Sequence, residues 1–210
     1  MRKKSAFLIS FEGIEGTGKS THCRLLARFL NNKGFKVVIL REPGSSGVGE
    51  KIRQILLHTK GRITNLCEAM LFSAARVQLI DEKIRPNLNS QDVIILDRYI
   101  DATVAYQGYG AGLDVRLIKQ LNQIATSGLT PQLTLLLDIA PNIGIKRSGR
   151  SDRFEKRKIT FHRRVRIGYL KIARANKKRI RLVSTKADIQ QIQKNIQKIV
   201  CDELRIAGKK

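Results

Sequence analysis

The segment FEGIEGTGKST, close to the start of the chain, combines glycines, a lysine and hydroxyl side chains at the spacing of a phosphate-binding loop. The pattern G-x-x-x-x-G-K-[ST] is met by Gly13, Gly18, Lys19 and Ser20. In such a loop, backbone N–H groups surround phosphate oxygens, the lysine adds a point charge and the hydroxyl can ligate Mg²⁺. Glu15 lies inside the loop, where a bound phosphate would repel its negative charge. A group other than a phosphate must therefore interact favourably with this carboxylate.

A second pair of charged residues follows the apolar run DVIILD. Asp97 closes this run, and a carboxylate at a strand end beside a phosphate loop can bind a hydrated Mg²⁺. Arg98 comes next and could hold a second phosphate with its two-pronged guanidinium. An Asp-Arg pair is also typical of a plain salt bridge, but the phosphate loop favours the first interpretation.

Five apolar runs have the length and composition of buried strands: AFLISF, KVVILRE, DVIILD, LTLLLDI and RIRLVS. Segments with helical periodicity separate them, which predicts an α/β fold with a parallel sheet covered by helices on both faces. Ligands then bind at the carboxyl ends of the strands. Gly34 is expected to stop the first helix and Pro86 to end the helix that begins near Asn65. The last helix can be capped by Asp188 or Thr185.

The length of 210 residues suits one domain, which we place at 1–210. Its 41 Lys and Arg against 17 Asp and Glu give a formal net charge of +24, which favours anionic partners. Residues 146–181 hold 16 basic side chains and only two acidic ones. This segment could contact nucleic acid, but no aromatic interleaving or nucleic-acid motif accompanies it. We favour the alternative that part of this segment closes over a bound nucleotide as a flap, while the rest is solvated helix surface.

Targeting and cross-linking signals are weak in this sequence. No apolar run reaches the roughly 18 residues of a membrane span, and the apolar run after the basic start is interrupted at Glu12. We therefore predict a cytoplasmic protein. The three cysteines are far apart and suggest neither a disulfide framework nor a zinc site.

Together the motifs resemble those of bacterial thymidylate kinases. The resemblance is carried, in family order, by FEGIEGTGKST, REPGSSGVGEKIRQILL, LFSAAR, DRYIDATVAYQGYGAGLD, DRFE and FHRRVRIGYL. It implies a P-loop NTPase fold with a five-stranded parallel sheet flanked by helices and a short mobile lid at about 141–156. It also implies phosphorylation of dTMP to dTDP, with ATP as donor and Mg²⁺ as cofactor, and a homodimer.

The resemblance assigns roles to the charged residues. The whole loop is expected to bind the nucleotide cofactor, through Gly13, Ile14, Glu15, Gly16, Thr17, Gly18, Lys19, Ser20 and Thr21. Glu15 matches a carboxylate that approaches the sugar 3′-hydroxyl and the metal, so the candidate metal ligands are Ser20, Asp97 and Glu15. Arg41 and Arg98 match positions near the acceptor phosphate, and Glu42 is a neighbouring substrate-binding candidate.

The nucleoside part of the substrate is assigned to three motifs. Phe72 and Arg76 are four residues apart on one helix face, so the ring would stack on thymine while the guanidinium contacts its O4 atom. On an unrelated helix, core packing and a solvated charge would be the better interpretation. Thr103 matches a position near the base edge, Tyr106 one that crowds the sugar 2′ position, and Gln107 is a further candidate contact. A core tyrosine is the alternative for Tyr106.

The lid is assigned part of the chemistry. Family members of one type carry arginine directly after the loop carboxylate, whereas another type carries glycine there and basic residues in the lid. Here the residue is Gly16. The catalytic candidates are therefore Lys19, Arg98, Arg147, Arg150 and Arg153, and the sequence does not decide which lid arginine acts.

Two other functions stay open at this level. A kinase for another nucleotide or deoxynucleoside is disfavoured by DRYIDATVAYQG together with LFSAAR. A nucleic-acid-dependent NTPase is suggested only by the net charge. The three histidines, His22, His58 and His162, match no catalytic position, and we interpret them as ordinary helix or surface residues.

Overall fold

The computed structural model describes residues 5–149 and 152–206. Its strands are β1 (Phe7–Glu12), β2 (Val37–Arg41), β3 (Val93–Asp97), β4 (Leu133–Asp138) and β5 (Ile180–Ser184). They form one sheet in the order β2-β3-β1-β4-β5, with every neighbouring pair parallel. The predicted five-stranded parallel sheet is thereby confirmed. Because β1 has β3 on one side and β4 on the other, the sheet has its switch point there, where a crevice opens at the carboxyl ends.

Helices follow each strand and cover both faces of the sheet. They are α1 (Lys19–Asn31), α2 (Gly47–His58), α3 (Asn65–Leu79), α4 (Arg85–Leu88), α5 (Ile100–Thr103), α6 (Val115–Thr126), α7 (Pro141–Ser148), α8 (Ile159–Ala175) and α9 (Ile189–Leu204). Two π-helical segments, Ile80–Ile84 and Val104–Gly110, continue α3 into α4 and extend α5. No helix among the described residues is both long and apolar enough to cross a membrane.

The core forms on both faces of the sheet. On one face, Leu26 and Leu30 of α1 pack with Ile196 of α9 against the strands. On the other, Leu79 of α3 and Val165 of α8 belong to separate apolar clusters that also include strand residues. Burying a side chain of this size contributes about 1.5–3 kcal/mol. These layers hold the strand ends in place.

The helix ends partly follow the sequence prediction. Asp188 caps α9 by accepting a hydrogen bond from the Gln191 N–H at 2.8 Å, whereas Thr185 donates its hydroxyl to the Asp138 carbonyl. Gly34 lies in the turn that follows α1, with a φ of 87°.

The prediction that Pro86 ends its helix is wrong. The helical path continues to Leu88. The π-helical segment Ile80–Ile84 leads into α4, and Pro86 falls in the first turn of α4. In a first turn, the N–H that proline lacks is not needed for the helix.

Candidate active site

The phosphate loop joins β1 to α1 and leaves hydrogen-bond donors open. Gly18 precedes α1 in a left-handed conformation with a φ of 84° and no side chain caps the helix, so its first N–H groups are available to an anion. Lys19 is buried, and its Nζ donates to the carbonyls of Gly13 at 3.0 Å and Ile14 at 2.7 Å. Burial, assisted by the charge of Arg98, lowers the pKa of Lys19 to about 8.

Oxygen ligands for a cation lie beside the loop. The Ser20 hydroxyl donates to Asp97 Oδ2 at 2.5 Å, because β3 runs alongside β1 and ends at Asp97. A hydroxyl and a carboxylate are ligands that suit Mg²⁺, which completes its coordination with waters and phosphate oxygens. The donor set therefore fits the predicted ion.

Glu15 lies among groups that favour its charge. Its Oε1 accepts hydrogen bonds from the Tyr106 hydroxyl at 2.5 Å and from Arg98 Nη2 at 3.1 Å, while His162 Nδ1 lies 3.5 Å from Oε2. Burial opposes ionisation, but the contact with His162 and the charges of Arg98 and Lys19 outweigh it and hold the pKa of Glu15 below its ordinary value. These neighbours explain a carboxylate inside a phosphate loop.

Arg98 is held from several sides. Its backbone lies in the left-handed region with a φ of 71°, which is uncommon outside glycine and costs energy that surrounding contacts must offset. Its N–H donates to the Phe11 carbonyl at 3.0 Å, and Nη1 donates to the Gly13 carbonyl at 2.9 Å. Nη1 also donates to the Tyr169 hydroxyl, which in turn donates to Glu12 Oε2. The guanidinium is therefore fixed beside the loop.

A cavity of about 640 Å³ opens over the loop. The predicted residues that line it are Glu15, Gly16, Gly18, Lys19, Ser20, Thr21, Arg41, Glu42, Asp97, Arg98 and Arg147. Arg41 is exposed here and donates to Glu50 at 2.8 Å. Gly13, Ile14 and Thr17 do not line this cavity, but their oxygens accept hydrogen bonds from Lys19.

A second cavity of about 90 Å³ adjoins the first and is partly aromatic. The predicted residues that line it are Glu15, Glu42, Phe72, Arg98, Thr103, Tyr106 and Gln107. Phe154 also lines it, with ring centroids 5.9 Å from Phe72 and 6.2 Å from Tyr106. Phe154 was not among the predicted site residues, although it belongs to the DRFE motif.

The two cavities share part of their walls. The residues that line both are Glu15, Glu42, Arg53, Arg98 and Glu155. A group bound in one cavity and a group bound in the other would therefore meet at a boundary formed mainly by charged side chains. This arrangement suits transfer of a charged group between two bound molecules.

Arg76 lies behind the wall of the smaller cavity, bound to Thr103 and Glu42. It is fully buried and lines neither cavity, and its five N–H donors all point to protein acceptors. Its acceptors are both carboxylate oxygens of Glu42, Asn122 Oδ1, Thr103 Oγ1 and the Tyr99 carbonyl. A direct contact with a base would require this network to open.

The phosphate loop and α7 pack closely enough to exclude a side chain. A Cβ atom at Gly16 would lie 1.8 Å from the Gly144 carbonyl oxygen, and the φ of Gly16 is 70°. An arginine at this loop position is therefore excluded on steric grounds. Arg147, one turn further along α7, lines the larger cavity, and its Nη1 donates to the Thr185 carbonyl at 3.0 Å.

Arg153 lies apart from both cavities. Arg153 lines neither cavity, and its Nη2 donates to the buried carboxylate of Glu68 at 2.6 Å, while its Nε donates to the Leu56 carbonyl. Arg157 binds the same carboxylate at 2.6 Å. Arg150 lies outside the described residues.

The three histidines, which we interpret from the sequence as ordinary helix or surface residues, differ in their burial. His162 is fully buried beside Glu15 and is not a surface residue. A signal was present, because the buried residues of α8 recur at helical spacing and His162 falls among them: Phe161, His162, Val165, Gly168, Tyr169 and Ile172. His22 is also buried, with Nδ1 2.9 Å from Gln193 Oε1, whereas His58 is exposed.

Part of the charge of the basic segment 146–181 is neutralised by ion pairs within the chain. In its described portion, the residues in ion pairs with acidic side chains are Arg153, Arg157, Arg166, Arg179 and Arg181. The charge of this segment is therefore not all presented to solvent.

Comparison with known proteins gives a consistent result. The family model for thymidylate kinase matches residues 11–196. A thymidylate kinase from Geotalea daltonii is 45% identical over 87% of this chain and 91% of its own length. One from a Thermoanaerobacter species is 39% identical over 91% and 96%. The crystal structure of thymidylate kinase from Ehrlichia chaffeensis superimposes with a TM-score of 0.79 at 31% identity, covering 93% of this chain and 99% of that one.

Proposed function

Because the chain belongs to the thymidylate kinase family, we propose that it transfers the γ-phosphoryl group of ATP in line to the 5′-phosphate of dTMP, giving ADP and dTDP. The observation that carries this mechanism is the shared wall of the two cavities, which Glu15 and Arg98 line on both sides. The acceptor oxygen is already anionic at neutral pH, since the second pKa of a phosphate is about 6, so no strong general base is needed. Catalysis then consists of positioning and charge neutralisation.

The larger cavity is the proposed ATP site. The open N–H groups of α1 and the ammonium of Lys19 would hold the phosphates, as in other phosphate loops. Ser20 and Asp97 would hold Mg²⁺, with Glu15 as a further candidate ligand. When bound, Mg²⁺ neutralises charge on the phosphate oxygens.

The smaller cavity is the proposed thymine site. Phe72 and Phe154 supply aromatic surface for a base, and Thr103 and Gln107 supply polar groups at its edge. Arg76 supports this wall from behind through its bonds to Thr103 and Glu42. We propose that it acts by holding them, and a direct bond to thymine O4 stays a prediction.

The shared wall is the proposed site of the sugar and the acceptor phosphate. Glu15 would accept a hydrogen bond from the 3′-hydroxyl, and Tyr106, whose hydroxyl already binds Glu15, would crowd the 2′ position. Arg98, which lines both cavities, and Arg41, which lines the larger one, would bind the 5′-phosphate where the two cavities meet.

Among the lid arginines, Arg147 is the one that we propose to bring positive charge to the transition state. It lies on the wall of the larger cavity, and the packing of Gly16 against Gly144 keeps its helix beside the phosphate loop. Arg153 would instead hold the lid to α3 through Glu68. Arg150 stays a third candidate.

A homodimer and a cytoplasmic location complete the proposal. Apolar side chains exposed on α2 and α3 could form the contact between two copies, namely Val48, Ile55, Leu66, Met70 and Val77. Sedimentation of the protein and of Met70→Asp tests this, with a dimer expected for the first and a monomer for the second. A monomeric wild type at micromolar concentration would contradict the proposal.

A coupled assay of ADP release tests the reaction. ATP and Mg²⁺ are supplied with dTMP, dUMP, other nucleoside monophosphates, or single- and double-stranded nucleic acids. Stimulation by dTMP is expected, and the dUMP arm measures how strictly the thymine methyl group is recognised. Stimulation by DNA or RNA with no response to dTMP would instead support the nucleic-acid-dependent NTPase.

A further inference from the structure

The Nδ1 atom of His162 and the Oε2 atom of Glu15 are two buried polar atoms that face each other. They lie 3.5 Å apart, and His162 is fully buried. Within the described part of the chain, neither Glu15 Oε2 nor either ring nitrogen of His162 has a hydrogen-bond partner. Buried polar groups are almost always hydrogen-bonded, so two facing polar atoms without hydrogen-bond partners need an explanation. Their separation is only slightly longer than the roughly 2.7–3.2 Å of an N–H···O hydrogen bond.

The other oxygen of Glu15 is already committed. Oε1 accepts from Tyr106 and from Arg98, so rotation of the carboxylate is controlled from one side only. Lys19 directs its Nζ to backbone carbonyls and to the Thr17 hydroxyl, and forms no bond to Oε2. The ring of His162 is therefore placed to fix the second oxygen.

The position of His162 is itself well determined. It lies on α8 in the same packed face as Phe161, whose ring meets the imidazole edge-on at a centroid distance of 5.5 Å. A ring held by such packing loses little further freedom when it forms a hydrogen bond. This distinguishes it from an exposed histidine that would have to be ordered first.

We infer that His162 is a positioning residue for Glu15: its Nδ1–H donates to Oε2 and orients the carboxylate toward the boundary of the two cavities. The inference rests on the proposed function, because the hydroxyl that Glu15 would receive is the 3′-hydroxyl of the substrate. His162 itself lines neither cavity and acts only through Glu15. The part of its effect that passes through the 3′-hydroxyl must therefore disappear with a substrate that lacks this hydroxyl.

The test compares dTMP with its 3′-deoxy analogue in the wild type, His162→Phe and His162→Asn. Phenylalanine keeps a planar ring without a donor, and asparagine can place an amide N–H near the Nδ1 position. For His162→Phe we expect kcat/KM to fall roughly three- to tenfold more with dTMP than with the analogue, the range of one hydrogen bond. His162→Asn should recover most of this difference.

The ratio of the two substrates is measured on the same protein sample, so partial loss of folded protein cancels. Equal losses with both substrates in His162→Phe, or no recovery in His162→Asn, would contradict the inference that His162 orients Glu15 toward the 3′-hydroxyl. Failure of the proposed function is recognised separately, because the wild type itself would then show no dTMP-dependent ADP release.

Discussion

Two cations at the larger cavity are held differently from two that lie behind the smaller cavity. At the larger cavity, Lys19 and Arg147 donate to backbone carbonyls and neutral oxygens, and neither forms an ion pair among the described residues. Behind the smaller cavity, Arg76 and Arg153 are each bound to a fully buried glutamate. The first pair keeps its charge available for a ligand, whereas the second pair holds the walls of the site. Substitutions of the first pair should therefore affect turnover, and substitutions of the second pair should affect stability or binding.

The largest effect is expected for Lys19→Ala. Its ammonium acts on the transferring phosphoryl group, so we expect kcat to fall by about 10³ or more, beyond the 10²–10³ of a single neutral donor. Circular dichroism should show a folded protein. Lys36→Ala, an exposed lysine outside both cavities, is the control. A folded Lys19→Ala with wild-type kcat would mean that the loop is only a glycine-rich turn.

The lid arginines test the comparison directly. We expect Arg147→Ala to lower kcat by roughly 10²–10³, since an arginine supplied to a phosphoryl transition state can contribute 10³–10⁵ and other cations share the task. Arg153→Ala should change kcat less but lower the melting temperature, because it leaves Glu68 with fewer partners.

Measurements at saturating ATP and dTMP should include Arg150→Ala and the control Lys146→Ala, an exposed neighbour outside both cavities. A larger loss of kcat in Arg153→Ala than in Arg147→Ala would reverse the assignment. If all three arginine variants stay within a few-fold of the wild type, the lid does not supply the charge.

The features that could be predicted from the sequence are those encoded by contiguous residues. The phosphate loop is one short motif, and its strand and helix follow from apolar runs on either side. The closeness of Ser20 and Asp97 also follows, because parallel strands end at the same edge of the sheet. None of these predictions requires knowledge of how distant helices pack.

The features that could not be predicted depend on contacts between distant segments. Arg76 pairs with Glu42, 34 residues away, and Arg153 pairs with Glu68, 85 residues away. Helical spacing gives the face on which a side chain lies, but not which acceptor it meets there. Helical spacing indicates that His162 is buried, but its contact with Glu15 could not be predicted, because Glu15 lies in the distant phosphate loop.

Arg76→Ala should show the behaviour of the arginines that hold the walls of the site. Removing the guanidinium leaves the Glu42 carboxylate buried without its partner, so we expect a loss of about 3–5 kcal/mol in the free energy of unfolding. Displacement of Thr103 and Glu42 should weaken dTMP binding by roughly 1–3 kcal/mol, with ATP binding little changed. Denaturant unfolding and calorimetry measure the two effects.

The matched control is Arg85→Ala, an exposed arginine further along the same helical path that pairs with Asp81. Exposed pairs contribute about 0–1 kcal/mol, so this variant should be nearly neutral. Pairing Arg76→Met with Glu42→Gln should recover part of the stability. Unchanged dTMP affinity in a folded Arg76→Ala would remove Arg76 from the substrate site.

The smallest expected effect concerns the protonation of Lys19. Burial, with the charge of Arg98, lowers its pKa to about 8, so the ligand-free protein loses this charge as the pH rises above 8. Phosphates favour the charged form and raise the pKa again, which means that binding takes up a proton. We expect uptake near zero at pH 6.5 and approaching one proton at pH 9, with affinity falling by at most about tenfold per unit above pH 8.

Calorimetry with a non-hydrolysable ATP analogue, in buffers of different ionisation enthalpy, measures this uptake. Glu12 titrates in the same range, because burial and the charge of Asp101 raise its pKa to about 8. Arginine stays protonated, so Lys19→Arg should abolish the uptake while Glu12→Gln should retain it. The opposite pattern would assign the proton to Glu12, and it would mean that Lys19 keeps its charge without a ligand despite its burial.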